Sequence, residues 1–284
     1  MRILITNDDG VFAPGIEALA RGLLGAFGEE HELLVAAPLT DWSGASSAVG
    51  AVWDRESIPF ESVDIPGLSR IPVYAVDGPP ALCVILACIG GFGPQPDLVV
   101  SGINHGVNIG RSALHSGTVG AALTAAQFGL RALAVSVGWH KEDVFWDTAI
   151  DLVTRIVPGL IEQEPRTVLN LNVPAVSPEG LKGVRHGNLG TIGLIRSVAR
   201  ENSARPVEGQ PIDRTSGAIT LTIRDMGGME GGRDERVEAE PTSDAAALHE
   251  GWASLTPIVG VREDFSEAGQ AALKTALAAL GVTS

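Results

Sequence analysis

Ile3-Leu4-Ile5-Thr6-Asn7-Asp8-Asp9-Gly10 is an aliphatic run that stops on two adjacent carboxylates. Three consecutive large aliphatic residues predict a short strand buried on both faces, the pattern of a parallel sheet. In open α/β sheets ligands bind outside the carboxyl ends of the strands. Asp8 and Asp9 are therefore expected on a binding edge. Neighbouring like charges repel and raise a pKa, and a divalent cation with oxygen ligands relieves that repulsion. The same four residues, Asn7 to Gly10, also suit a plain turn. From this stretch alone both readings stand.

The chain has 284 residues, room for one large domain or two small ones. A hydrophobic content of 45% supports a sizeable core, and Gly 35 with Pro 17 points to the many turns of alternating α/β architecture. The net charge of −14 argues against a nucleic-acid polymer or an anionic membrane surface as partner, since phosphate backbones need Lys and Arg to displace counterions. A small phosphorylated substrate stays compatible if a bound metal inverts the local field. Cys83 and Cys88, five apart in an apolar stretch, match neither a disulfide framework nor a C-x-x-C metal site. With a strand beginning at residue 2 and no apolar run of membrane-spanning length, a cytoplasmic location is expected.

Past the first strand, Pro14 suits a helix's first turn, and Ile16, Leu19, Leu23, Leu24 and Phe27 line one helical face. Glu32 to Ala37 and Asp97 to Ile103 read as strands, Gly117 to Phe128 as a helix, and Ala132 to Val137 as a strand. Asp147 is expected to cap a helix through Ile161 that Pro158 kinks or ends, and Thr167 to Val173 is a further strand. This alternation predicts an α/β, Rossmann-like three-layer fold with a mostly parallel sheet and a C-terminal antiparallel hairpin extension. Residues 1–284 form one such domain in this reading. Within it, residues 185–250 are an appended hairpin and loop region, expected to serve as an oligomerisation arm: Ile219 to Arg224 alternates as a half-exposed strand, and Gly227 to Asp244 is a Gly- and Glu-rich loop. Ser254 to Val261 is a late strand, and Ser266 caps a final helix carrying Leu273, Leu277 and Leu280.

Three more segments end on small polar residues: Ser43-Gly44-Ala45-Ser46-Ser47, Ser101 to Gly110, and Ser116-Gly117-Thr118, which opens a helix. In a parallel sheet all three share the edge that holds Asp8 and Asp9. Each has an ordinary reading as well. The serine loop can be plain surface, Asn104 and Asn108 can stabilise left-handed turns, and Ser116 and Thr118 can simply cap their helix. A helix N-terminus is nonetheless a ready anion site. The glycines lack the dinucleotide fingerprint, no Walker sequence occurs, and no G-x-S-x-G elbow supports serine-hydrolase chemistry. Asp, Ser and Asn are hard oxygen donors, suited to Mg²⁺, Mn²⁺ or Ca²⁺ rather than zinc. The matching reaction class is metal-assisted hydrolysis of a phosphate ester.

Asn7-Asp8-Asp9-Gly10 with Ala13-Pro14-Gly15-Ile16, the Ser43-Gly44-Ala45-Ser46 loop, Ser101-Gly102-Ile103-Asn104 with Gly106, Asn108 and Gly110, and Ser116-Gly117-Thr118-Val119 together resemble the SurE family of survival-protein nucleotidases. Asn170-Leu171-Asn172-Val173-Pro174 and Glu250-Gly251-Trp252-Ala253-Ser254-Leu255-Thr256-Pro257 extend the match over nearly the whole chain. The resemblance implies a phosphoric monoester hydrolase acting on nucleoside 5′- and 3′-monophosphates. It implies one divalent ion per subunit (Mg²⁺ or Mn²⁺, with Ca²⁺ as a crystal stand-in) and a homodimer or homotetramer built through the C-terminal arm. Carried over by position, Asp8, Asp9, Ser43 and Asn104 would hold the metal, and Asn108, Ser116, Gly117 and Thr118 would bind phosphate. Asp8, Asn108, Ser116 and Thr118 would be the catalytic set, with Asp8 accepting the proton of an attacking water. Leu39-Thr40-Asp41-Trp42, Gly78-Pro79-Pro80-Ala81-Leu82 and Phe12 depart from the family's usual residues. These departures leave open a shift to a non-nucleotide phosphate substrate. A haloacid-dehalogenase-type phosphatase needs an Asp-x-Asp pair, which the adjacent carboxylates do not supply, and a nucleotide-sensing module without turnover is the remaining alternative.

Overall fold

A computed structural model describes residues 1–140, 144–191, 197–199, 220–222 and 240–279. In chain order its elements are β1 (Arg2–Thr6), α1 (Pro14–Phe27), β2 (Glu32–Pro38), β3 (Phe60–Ser62), β4 (Val73–Val76), α2 (Pro80–Cys88), β5 (Leu98–His105), α3 (Gly117–Gln127), β6 (Arg131–Val137), α4 (Trp146–Ile161), β7 (Val168–Val173), β8 (Val184–His186), β9 (Ser197–Ala199), β10 (Thr220–Thr222), α5 (Asp244–His249), β11 (Ala253–Ile258) and α6 (Glu267–Ala279). One sheet carries nine of the strands in the order β3-β4-β2-β1-β5-β6-β7-β11-β8. Strands β4, β2, β1, β5, β6 and β7 run parallel. Strands β3 and β11 run antiparallel to their neighbours β4 and β7.

Every residue of β1 is buried, as its unbroken aliphatic run demands. Ile3 and Ile5 face one core with Ile16, Leu19 and Leu23 of α1 and Leu152, Val153 and Val157 of α4. Leu4 faces the other, with Cys83 and Val84 of α2 and Val119, Ala122 and Ala125 of α3. The sheet thus lies between two helical layers, as the alternation predicted. From β1 the chain winds outward through β2 and β4, then restarts beside β1 at β5 and winds the other way. The reversal between β1 and β5 opens a crevice at their carboxyl ends. Asp8 and Asp9 leave one side of it and Asn104 the other.

Two helix readings are corrected. The residue capping α4 is Phe145, with no side-chain cap, and Asp147 sits inside the first turn. There its charge favours the positive helix end, which leaves the same sequence signal as a cap. Pro158 does not end the helix: it faces solvent, and the buried stripe continues through Val157 to Leu160. Ser266 does cap α6, its Oγ accepting from Gly269 N–H at 3.1 Å.

Of residues 185–250, Thr220–Thr222 pairs antiparallel with Ser197–Ala199. Both ends of this region lie against the main sheet. Strand β8 pairs with β11, and Asn188 bridges Ser243. The expected alternation at Ile219, Ile223 and Arg224 and most of the Gly227-to-Asp244 loop lie outside the described residues.

Candidate active site

The turn after β1 is both a turn and a site. Asn7 Nδ2 donates to Gly10 O at 2.8 Å, and Gly10 adopts a φ of +102°. The turn leaves Asp8 almost fully buried and Asp9 half-buried. Helix α3 arrives with its N-terminus on Asp8: Thr118 Oγ1 donates to Asp8 Oδ1 at 2.5 Å, and the backbone amides of Gly117 and Thr118 also hydrogen-bond this carboxylate. Only glycine fits at 117, because a Cβ there would lie 2.7 Å from Asp8 Cβ and 2.8 Å from its Oδ2.

Burial raises the pKa of Asp8 above its ordinary 3.8, opposed by the Thr118 hydroxyl and then by the backbone amides. Asp9 is pushed up to about 6, first by burial and then by the charge of Asp8. The His105 amide pulls it down, and Asp41 adds a further push upward. Two crowded acids are thus held where each costs energy to ionise. That is the electrostatic demand a cation meets.

The loop after β2 folds over this pair. Trp42 N–H donates to Asp8 O at 2.8 Å, so Ser43 follows directly on a residue anchored to the site. Ser43 is exposed, and its Oγ and N–H both bond Asp41 Oδ1 at 2.7 Å. Ser46 N–H donates to His115 O at 3.1 Å. This close approach requires Gly120 on α3, since a Cβ there would sit 2.2 Å from Ser46 O.

A register shift between Ser101 and Asn104 re-aims the end of β5. Asn104 is half-buried, with Nδ2 donating to Gly106 O, and the neighbouring His105 amide reaches Asp9. Asn108 is buried farther along the edge, its Nδ2 donating to Ser136 Oγ at 2.7 Å. Ser116 caps α3, its Oγ accepting from Val119 N–H at 3.1 Å.

These contacts bring Asp8, Gly117 and Thr118 into direct touch. Asp9 joins them beside Asn104, and the Ser43 loop joins through Trp42. Asn108 and Ser116 lie on the same edge with their side chains engaged by Ser136 and Val119. At the rim the His105 ring stacks on Trp139, centroids 6.3 Å apart, and meets Trp146 edge-on at 5.8 Å.

Sequence reading gave Ser136 no role, met Asp41 only as a departure from the family's residues and Asp244 only as the end of a loop, and named Asn170 and Asn172 only as part of a family match. The asparagine pair did leave a signal: at i and i+2 of an apolar strand both amides share one buried face.

Among the described residues no three His, Cys, Asp or Glu side chains gather to hold a metal. A cation here would rest on two carboxylates and neutral oxygens. The donor set fits a hard dication: Asp8 and Asp9 are crowded acids, and Asn7 Oδ1 beside them is buried without a hydrogen-bond partner.

The family model described as survival protein SurE matches residues 3–193. This chain belongs to the SurE family. It is 36% identical over 261 residues to a 5′/3′-nucleotidase SurE of Shigella dysenteriae, covering 91% of this chain and 90% of that protein. A relative of the same name from Escherichia fergusonii is 36% identical over 262 residues, with the same coverage. The crystal structure of the SurE protein from Aquifex aeolicus superposes with a TM-score of 0.70 at 25% identity, covering 97% of this chain and 99% of that one.

Proposed function

We propose that this SurE-family protein is a metal-dependent phosphomonoesterase that hydrolyses nucleoside 5′- and 3′-monophosphates. The observation that carries the reading is the Asp8–Thr118 contact at the sheet's switch point, with Asp9 alongside. It joins a crowded pair of acids to a helix N-terminus, one suited to a cation and the other to an anion. The relatives' names add the substrate class.

In this reading Asp8, Asp9, Ser43 and Asn104 hold one Mg²⁺ or Mn²⁺, which when bound supplies Lewis-acid polarisation of the phosphoryl group and a more acidic water. Ser43 would offer the lone pairs of its Oγ, whose proton is already donated to Asp41 Oδ1 at 2.7 Å. Thr118 and the amides of Gly117 and Thr118 fix the Asp8 carboxylate in one orientation, so that it is the group placed to accept the water's proton. Ser116 and Asn108 supply the donors for the phosphoryl oxygens at the positive end of α3, and Gly117 and Thr118, engaged by Asp8, complete the wall of that phosphate pocket.

Two or four copies are expected to assemble through residues 185–250. Leu189 exposes apolar surface within this region, and Val259, Val261, Phe265 and Leu273 add more on the segment that follows it. The two free, buried cysteines support a reducing cytoplasm, and no helix among the described residues is long and apolar enough to cross a membrane.

The test is a panel of nucleoside monophosphates and simple phosphate esters assayed with Mg²⁺ and Mn²⁺, on the native chain and on Asp8→Asn. Nucleoside monophosphate turnover that Asp8→Asn reduces at least a hundredfold is expected. Ligand binding without turnover under every metal would overturn the reading in favour of a sensor. Better turnover of esters lacking a nucleoside would assign a shifted substrate.

A further inference from the structure

Asp244 lies 134 residues beyond Gly110 in the chain, yet its Oδ2 accepts the Gly110 N–H at 2.7 Å. Its Oδ1 accepts from Ala245 N–H at 2.8 Å and Gly190 N–H at 3.2 Å. The side chain is fully buried. An ionised carboxylate removed from water is retained only where hydrogen bonds replace its hydration, and here three backbone amides do so. Burial still lifts the Asp244 pKa, with those amides pulling the other way. Nothing in the phosphoester chemistry described above uses this group.

The loop it grips is the one that carries Asn108. Asn108 N–H donates to Asn172 Oδ1 at 2.7 Å, and Asn108 O accepts from Asn170 Nδ2 at 2.9 Å and Asn172 Nδ2 at 3.1 Å. Asn170 and Asn172 are fully buried on β7. Both backbone polar groups of Asn108 are therefore held by strand side chains, and Asp244 holds the amide two residues on. The 3₁₀ turn from Gly110 to His115 then leads directly to the Ser116 cap of α3. Fixing Gly110 fixes the start of the path between Asn108 and the helix end that meets Asp8.

We infer that Asp244, with Asn170 and Asn172, is a positioning residue for phosphate binding: it clamps the Asn108–Gly110 backbone to the place where the chain leaves at Gly190 and is back at Asp244. The inference rests on the proposed role of Asn108. An amide at 244 cannot serve three N–H donors. Because Gly190 and Ala245 share one oxygen, its NH₂ group faces Gly110, setting donor against donor.

Three measurements test the clamp. Asp244→Asn is expected to lower kcat/KM for a nucleoside monophosphate 10- to 100-fold and to weaken inhibition by inorganic phosphate by a similar factor. In an Asn108→Ala background the same change is expected to cost less than threefold, because residues acting through one contact are not additive. Ser243→Ala removes the α5 cap, where Ser243 Oγ accepts from Ala246 N–H at 3.1 Å, and spares the carboxylate. It is expected to lower Tm while leaving kcat/KM within twofold.

Equal losses in both backgrounds, unchanged kinetics in Asp244→Asn, or a Ser243→Ala loss as large as that of Asp244→Asn would each overturn the inference. Hydrogen exchange on the native chain tests the clamp with no variant and no turnover. The Gly110 amide is expected to exchange as slowly as those of Gly190 and Ala245, and free exchange at Gly110 overturns the clamp even if Asp244→Asn does not fold. A fully active Asn108→Ala would instead overturn the functional reading of Asn108, with exchange still deciding the clamp.

Discussion

Asp9→Asn in metal-free protein is the perturbation that separates the site's electrostatics from its packing. Burial and the neighbouring Asp8 charge lift Asp9 from 3.8 to about 6. An acid with a higher pKa when folded binds more protons in the folded state. Stability therefore falls as pH rises from 3.8 to about 6 and stays low above that window. The shift corresponds to at most about 3 kcal/mol, and partial exposure of Asp9 screens it to roughly 1–2 kcal/mol. Removing the charge recovers this amount at pH 7.5 and also relieves Asp8. For a chain of this size the recovery is a Tm rise of roughly 2–8 °C. Urea unfolding in EDTA at pH 5 and pH 7.5 reads the effect: the native chain should be less stable at the higher pH and Asp9→Asn nearly flat. With saturating Mn²⁺ the order should reverse, since only the native chain gains linkage energy from the ion. Equal native stability at both pH values, or a destabilised Asp9→Asn at pH 7.5 in EDTA, would refute the reasoning.

Gly117→Ala drives a Cβ to 2.7 Å from Asp8. It should lower kcat about a hundredfold through misplacement of the carboxylate while costing about 1–3 kcal/mol in urea titrations. Leu4→Ala opens a cavity under a fully buried strand residue. It should cost about 2–5 kcal/mol, with kcat at 25 °C unchanged in the folded fraction. EDTA should abolish turnover, and Mn²⁺ or Mg²⁺ should restore it; activity that survives exhaustive chelation would remove the metal from the mechanism.

The order of elements around the site was legible where periodicity was clean. Ile3 to Ile5, the α1 stripe and the α3 start all announced themselves. Helix α2 did not, because Pro80 to Cys88 is apolar on every side and carries no stripe to read. Strands β3 and β8 are three residues each, too short for a pattern. At the site, Asp8, Asp9 and Thr118 were legible because each ends or starts an element at one sheet edge. Asp244 was illegible: Ser243-Asp244 before an alanine run looks like any helix start, and nothing local says that its carboxylate reaches Gly110. Long-range pairing of a single buried charge leaves no periodic trace.

The distance in sequence between the acids and their distant anchor has a temporal side. All the residues proposed to touch ion or phosphate are synthesised by position 118, whereas Asp244 emerges 126 residues later. At ribosomal speeds of about 5–20 residues per second that is a delay of roughly 6–25 s. A nascent chain thus exposes its paired acids to cellular cations well before the last tether for the Asn108 loop exists.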